Sequence, residues 1–383
     1  MISGQRRRAA SIFVALLAVA CGGQGDSAAP PVRIEPFASV PSPPSRSPHL
    51  ILLKDGAACV VDTYWYRVIC THPDGESVTF GQEGRGPGEF VFPDALLRAP
   101  AGAIGVVDIS LNRLSVFARS GELVTSTSDL PNQFDGGRRK AMGETMAGSY
   151  HRYRPNGGSS LLDWVNVDVD AATGRVVWAR AFPPEADVVR CSTPGWEEDR
   201  QLGMGYEDGS GDVLFVTCRG EFLVWYADRD ASQPAATVRT TYVERYPTDE
   251  EVAFQLRGLQ SAPWRSAISE EEIRSRPKPW YGPRVMDDRR RFLAVSHWNG
   301  LDHVTPRHSY IDVFRLVDGG PEYALTLQVT DKVVGMDVLG DTLAVLVVRD
   351  VGGVVPERRV DWYDISTVDH AVNDARKESV TEP

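Results

Sequence analysis

The chain has 383 residues, 42% of them hydrophobic, with nine Trp and a formal net charge of −11. This is the composition of a folded protein, and its acidity disfavours a basic groove for nucleic acid or a surface drawn to anionic lipid. The length fits two ordinary domains or one large repeat or all-β domain.

The chain begins with a charged stretch, Arg6–Arg8, and then an apolar run at 9–20. A bilayer span needs roughly 20 apolar residues, so the run fits the core of an export signal instead. It ends in LLAVAC, with small Ala20 before Cys21. This resembles a bacterial lipobox, which implies a signal at 1–20, acylation of Cys21 and export to the cell envelope. Ala18 stands where Leu is commoner. Three consecutive arginines also resemble the start of a twin-arginine signal, but the rest of that motif is missing. Without residues 1–20 the net charge falls to −14. Residues 21–47 are rich in Gly, Ser and Pro and read as a flexible tether. Within it 32–40 alternates like a strand and is a candidate to close a ring.

From Ala57 to Val124 one unit occurs twice. Asp62 and Asp108, Arg67 and Arg113, and Gly75 and Gly121 recur at an offset of 46 residues. A fixed offset of this kind marks a repeat fold. Each copy runs turn, strand, hairpin, strand, turn, as antiparallel structure does. Starts of the same type fall at 56, 102, 158, 211, 290 and 340, in steps of 46, 56, 53, 79 and 50 residues. Six units lie within the range of about four to eight propeller blades. The long step contains 247–280, where Thr248 precedes Asp249, Glu250 and Glu251 as an N-cap does, and where ISEEEIRSR reads as a second short helix. Removing those 34 residues leaves 45, an ordinary step.

The expected fold is therefore all-β: a six-bladed β-propeller over 48–370, with a short helical insert at 247–280 between blades four and five and a tail at 371–383. GQEGRGPGEFVFP at 81–93, VVDISLNRLSVF at 106–117 and RPKPWYGPRVMDDRRRFLAV at 276–295 resemble the NHL-type six-bladed β-propellers, and more closely a group of bacterial exported propellers of unknown function. The first two units match well, and the last four match only in rhythm. Arg290 stands where Gly is usual. Propellers host unrelated activities, so the resemblance implies a fold and not a reaction.

With Cys21 acylated, Cys59, Cys70, Cys191 and Cys218 remain, and four cysteines allow three pairings. If Asp62 faces Arg67 across a tight hairpin, Cys59 faces Cys70 on neighbouring strands, close to bonding range. Cys191 and Cys218 are then left to each other; four free thiols is the other reading. The two Asp/Arg pairs invite a catalytic role, but a reaction centre is needed once and a hairpin brace in every blade, so both are expected to be cross-loop ion pairs.

The Gly-rich run at 81–90 can be read as a backbone nest for an anion with Arg85 assisting, or as a sharp connection anchored by Phe90 and Phe92. No Lys-Ser or Lys-Thr follows, so it is not a phosphate loop. His297, His303 and His308, with Asp302 among them, form the one candidate metal cluster, although their spacing matches no standard site. His49, His72, His151 and His370 look isolated and exposed. Asp208–Asp212 lacks the spacing of an EF-hand. There is no G-x-S-x-G, H-E-x-x-H or C-x-x-C. Trp225 and Trp362 read as core, whereas Trp264, Trp280, Tyr281 and Trp298 lie in or beside loops and are candidates for binding. The expected role is a binding or scaffolding module for an envelope protein, peptide or glycan, touching the membrane only through lipid and requiring no cofactor. The alternative is a metal-dependent lyase or lactonase-like hydrolase with its site at the central channel.

Overall fold

The computed structural model describes residues 31–45, 47–128, 130, 141–142, 145–156, 159–170, 172–173, 175–182, 201–204, 213–217, 222–228, 230–240, 247, 249, 252–253, 256, 269–275, 280–287, 289–296, 308–317, 319–349, 357–366 and 368. Nearly all regular structure among them is strand.

The strands fall into short sheets, taken here in chain order. Sheet one holds Leu50–Leu52, Ala58–Asp62, Arg67–Thr71 and Ser77–Phe80. Sheet two holds Pro93–Arg98, Ile104–Asp108, Arg113–Phe117 and Leu123–Thr127. Sheet three holds Ala141–Met142, Thr145–Asn156, Ser159–Asp170 and Val176–Phe182, and sheet four Gln201–Met204, Val213–Thr217, Phe222–Tyr226 and Ala236–Arg239. Sheet five holds Trp280–Met286, Arg291–Ser296, His308–Val317 and Gly320–Thr330, and sheet six Lys332–Leu339, Thr342–Arg349 and Glu357–Asp364. Each is an antiparallel meander. The turn-then-strand starts at 56, 102, 211, 290 and 340 lie at the first hairpin of a sheet, so those sheets begin one strand before the turn, whereas the start at 158 falls between the second and third strands of sheet three.

Two further strands come from the N-terminal segment. Ala38–Pro41 pairs antiparallel with Glu357–Asp364 as the fourth strand of sheet six. Val32–Arg33 pairs parallel with Leu327 and Gln328 at the outer edge of sheet five.

Both faces of sheets one, two, five and six are covered, which explains runs such as LIL and ACVV that lack polar alternation. In sheet one, Ile51, Cys59, Val61, Val68 and Cys70 face sheet two and meet Leu96, Val106 and Phe117. Leu50, Leu52, Ala58 and Val60 point the other way, onto Ala344, Leu346, Val360 and Trp362 of sheet six. Sheet five packs on six and on four, and Val169 of sheet three joins the cluster built on sheet two. The last sheet thus returns to the first. First strands of neighbouring sheets touch one another, as those of sheets one and two, five and six, and six and one do. Such sheets, stacked face to face in chain order with their first strands innermost, make a β-propeller.

The hairpin register follows from the repeat. Asp62 is opposite Arg67 and Cys59 opposite Cys70, and the two cysteines form a disulfide with their Cα atoms 3.9 Å apart. Asp108 is likewise opposite Arg113. A second signal recurs in the third strands. LSVF at 114–117, IDVF at 311–314 and VDWY at 360–363 place one polar residue in a buried apolar run. Each polar residue meets a hydroxyl on the fourth strand: Ser115 with Ser126 at 3.2 Å, Asp312 with Thr326 at 2.7 Å and Asp361 with Ser39 at 2.6 Å.

The helix Glu270–Ser275 occupies part of the stretch between sheets four and five, with Ile273 buried. Its Ser269 hydroxyl accepts the Glu272 N–H at 3.1 Å, as a cap does. Positions 249, 252, 253 and 256 are also helical. Trp280 and Tyr281 begin a strand, so regular sheet resumes at the last residue of the expected insert.

Candidate functional site

An up-and-down meander sorts its links by end. The link from first to second strand and that from third to fourth leave one end of the sheet. The link from second to third, and the crossing to the next sheet, leave the other. Contacts between sheets keep like ends together. At the first end, Arg289 pairs with Asp341, Arg119 with Asp55, and Trp362 Nε1 donates to the Gly56 carbonyl at 3.1 Å. At the second, Ser47 Oγ donates to the Asp94 carbonyl at 2.6 Å, and Arg359 Nη1 reaches Asp331 Oδ2 at 2.8 Å. We call these the turn end and the connection end.

At the turn end sheets one, two and six make tight turns. Gly56, Gly75, Gly102, Gly121 and Gly340 sit there with positive φ, the region that glycine enters without a Cβ penalty. Near the axis at this end Arg98 pairs with Asp337, and Asp337 Oδ2 also accepts the Leu52 N–H at 2.7 Å. Arg98 Nε donates to the Leu52 carbonyl at 2.7 Å. One ion pair therefore ties the first strands of sheets six, one and two.

The connection end carries the candidate residues. His308 opens the third strand of sheet five and is partly buried. His297, Asp302, His303 and Trp298 lie outside the described residues, in the link between Arg291–Ser296 and His308–Val317, whose ends are both at this end. Trp264 also lies outside them, in the crossing between sheets four and five. Trp280 and Tyr281 start the innermost strand of sheet five here. Cys21, Cys191 and Cys218 lie outside the described residues as well. Among the described residues, no three His, Cys, Asp or Glu side chains gather as metal ligands would.

Arg85 is exposed on the crossing between sheets one and two. That crossing supplies an anion of its own. The Glu89 carboxylate accepts the Gly86 N–H at 2.7 Å and the Gln82 amide at 3.0 Å. These hydrogen bonds, the Gly86 N–H first, hold its pKa below the usual carboxylate value. At Gly81 a Cβ would overlap the Phe90 ring, and at Gly84 it would overlap the Glu89 carboxylate. The glycines are there for close packing.

The two Asp/Arg pairs differ. Arg67 Nε binds Asp62 Oδ2 at 3.1 Å, the expected ion pair. Asp108 does not pair with Arg113. Its Oδ2 accepts the N–H groups of Val91 and Phe92 at 2.6 and 3.0 Å, and Arg113 donates to the carbonyls of Arg85 and Glu89. The crossing folds against this second hairpin and takes both side chains for its backbone. Arg358 acts alike on the crossing into sheet one, donating to the carbonyls of Ser45 and Ser47. Burial pushes its pKa down to about 10, which leaves it charged at neutral pH.

Two features at this end are not visible in composition or spacing. His49 is not isolated. It lies just before the first strand of sheet one, and its Nε2 is 3.8 Å from Asp94 Oδ2 on the first strand of sheet two, with 11% of the His49 side chain exposed. His72, at the turn end, is 3.7 Å from Asp55. The second feature is an apolar tip. Tyr64 and Trp65, in the hairpin braced by Asp62, are 52% and 67% exposed, and Ile109 in the equivalent hairpin of sheet two is 46% exposed. The repeat could have located it, because residues between Asp62 and Arg67 must form the turn.

No protein-family model matches the chain, and no curated protein does. Several solved structures follow a similar course. A member of the duf4221 family from Bacteroides vulgatus shares 12% identity over 86% of this chain and 97% of its own, with a TM-score of 0.47. A gluconolactonase from Xanthomonas campestris shares 9% over 88% and 98%, with a TM-score of 0.42. A streptogramin B lyase shares 10% over 86% and 97%, with a TM-score of 0.42. Likeness at this level carries no activity across to the chain.

Proposed function

We propose that this protein is an exported, lipid-anchored six-bladed β-propeller that binds an envelope peptide, glycan or protein through its connection end. The observation that carries the reading is the segregation of the two ends. One carries tight glycine turns of sheets one, two and six and an ion pair near the axis. The other collects the long crossings, the exposed Tyr64, Trp65 and Ile109, exposed Arg85, and the strand starts at Trp280 and His308. Exposed aromatic and apolar side chains grouped on links that a rigid scaffold holds are what a binding face requires.

The six-blade count is supported by six antiparallel sheets and by the packing of sheet six on sheet one. Closure uses Ala38–Pro41 as the outer strand of the last blade, so the free tether from Cys21 shortens to residues 21–31. The insert at 247–280 joins blades four and five at the connection end and borders the binding face. Trp264, Trp298 and the histidine-bearing link belong to that face in this reading.

Capture of envelope proteins by the full mature chain tests it. Trp65→Ala combined with Trp280→Ala is expected to reduce recovery of the captured partner at least tenfold. Asp55→Ala combined with Asp341→Ala, at the turn end, leaves recovery unchanged. The reverse pattern would assign binding to the other end.

A further inference from the structure

We infer that Val32–Pro41 is a two-sheet strap, keyed by Ser39, that locks sheet five to sheet six and makes the integrity of the folded body conditional on the N-terminal segment. This goes beyond the binding reading and stands on registers and contacts alone.

The segment uses opposite pairing modes in its two halves. Val32 and Arg33 run parallel to Leu327 and Gln328 of sheet five, and the Ile34 N–H donates to the Gln328 carbonyl at 3.1 Å. A few residues later Ala38–Pro41 runs antiparallel to Arg359–Trp362 of sheet six, with the Phe37 N–H on the Trp362 carbonyl at 2.8 Å and the Ser42 N–H on the Arg358 carbonyl at 2.9 Å. Apolar contacts follow the same division. Ile34 packs on the core between sheets five and six, whereas Ala38 and Val40 pack on the core between sheets six and one. One short segment therefore grips both seams of the last sheet.

Ser39 sets its register. Asp361 is fully buried, and its Oδ1 accepts the Ser39 hydroxyl at 2.6 Å. Arg359 Nε binds the same carboxylate at 2.9 Å and carries its other end to Asp331 at 2.8 Å. Thr326 and Ser126 hold the equivalent place in sheets five and two, but both lie in strands continuous with their own sheets. In sheet six the hydroxyl comes from 322 residues away in the chain. A slip of one residue would turn Ser39 off Asp361 and leave a buried carboxylate short of a donor.

The test begins with the folded full chain carrying a protease site in place of residues 42–44. After cleavage the strap should stay bound through gel filtration, and the urea midpoint should fall because closure is no longer intramolecular. Hydrogen exchange then reads each half. Ser39→Ala should speed exchange about fivefold in Glu357–Asp364, the loss expected for one bond, and Ser39→Thr should restore the slow rate. Ile34→Pro, which removes a donor, should speed exchange in Gly320–Thr330 and leave Glu357–Asp364 slow. Release of the segment on cleavage with an unchanged midpoint would overturn the inference. So would equal exchange in Ser39→Ala and the parent chain.

Discussion

Asp62 and Asp108 occupy the same place in two copies of one unit and have different partners. Each accepts N–H groups of its own hairpin through Oδ1. Their second oxygens differ because only the later hairpin has a glycine-rich crossing folded against it. That crossing is neutralised from within by Glu89, whose lowered pKa gives a pH signature. A carboxylate with a depressed folded pKa contributes stability that is present above its unfolded value and lost as pH falls through the folded one. Unfolding by urea at pH 7 and pH 3.5 should show this loss in the parent chain. In Glu89→Gln the difference between the two pH values should be smaller. If the variant loses as much stability on acidification as the parent, the Gly86 and Gln82 bonds do not matter to the fold.

The most informative element is the hairpin of Ala58–Asp62 and Arg67–Thr71. Its register follows from a brace seen twice in the sequence, and that register alone brings Cys59 to Cys70. Closing a loop of this size contributes about 2–4 kcal/mol by restricting the unfolded chain. Cys59→Ser combined with Cys70→Ser should lower unfolding stability by that order. Peptide mapping of the parent without reductant should recover the two cysteines linked, and Cys59 linked to Cys191 would refute the register. Left-handed backbone recurs with the same offset. Tyr66 and Asn112, each just before the Arg of its unit, have φ of 54° and 47°. Asn accepts this region readily and Tyr does not, so the Tyr66 turn depends on the Asp62 brace.

For the molecule as a whole, the acidic charge bears on the membrane. Among the described residues no helix is long and apolar enough to cross a bilayer. A chain of net charge −14 after loss of residues 1–20 is repelled by anionic lipid, so attachment should depend on Cys21. Labelled fatty acid is expected in the parent and not in Cys21→Ser, and only the acylated chain should float with vesicles of phosphatidylglycerol. Label in both would end the lipoprotein reading. Flotation of the unacylated variant would mean that the body carries a membrane surface of its own.

Local order was legible in the chain. Turn chemistry, strand runs and a 46-residue offset depend on neighbouring residues, so the all-β architecture, the repeat and the Cys59–Cys70 register could be read directly. The motif of one polar residue in the third strands of sheets two, five and six was also there, and it locates the partners of Ser126, Thr326 and Ser39 once the strands are aligned. Contacts between units were not legible. His49 meets Asp94 and Arg98 meets Asp337 only because separate sheets stack, Arg113 leaves Asp108 for the crossing folded against its hairpin, and Ser39 finds Asp361 only because the N-terminal segment joins the last sheet. The same stacking divides the molecule into a turn end and a connection end. Periodicity records which side of a strand is buried, but it does not record which distant strand does the burying, and that pairing is decided by the closing of the fold.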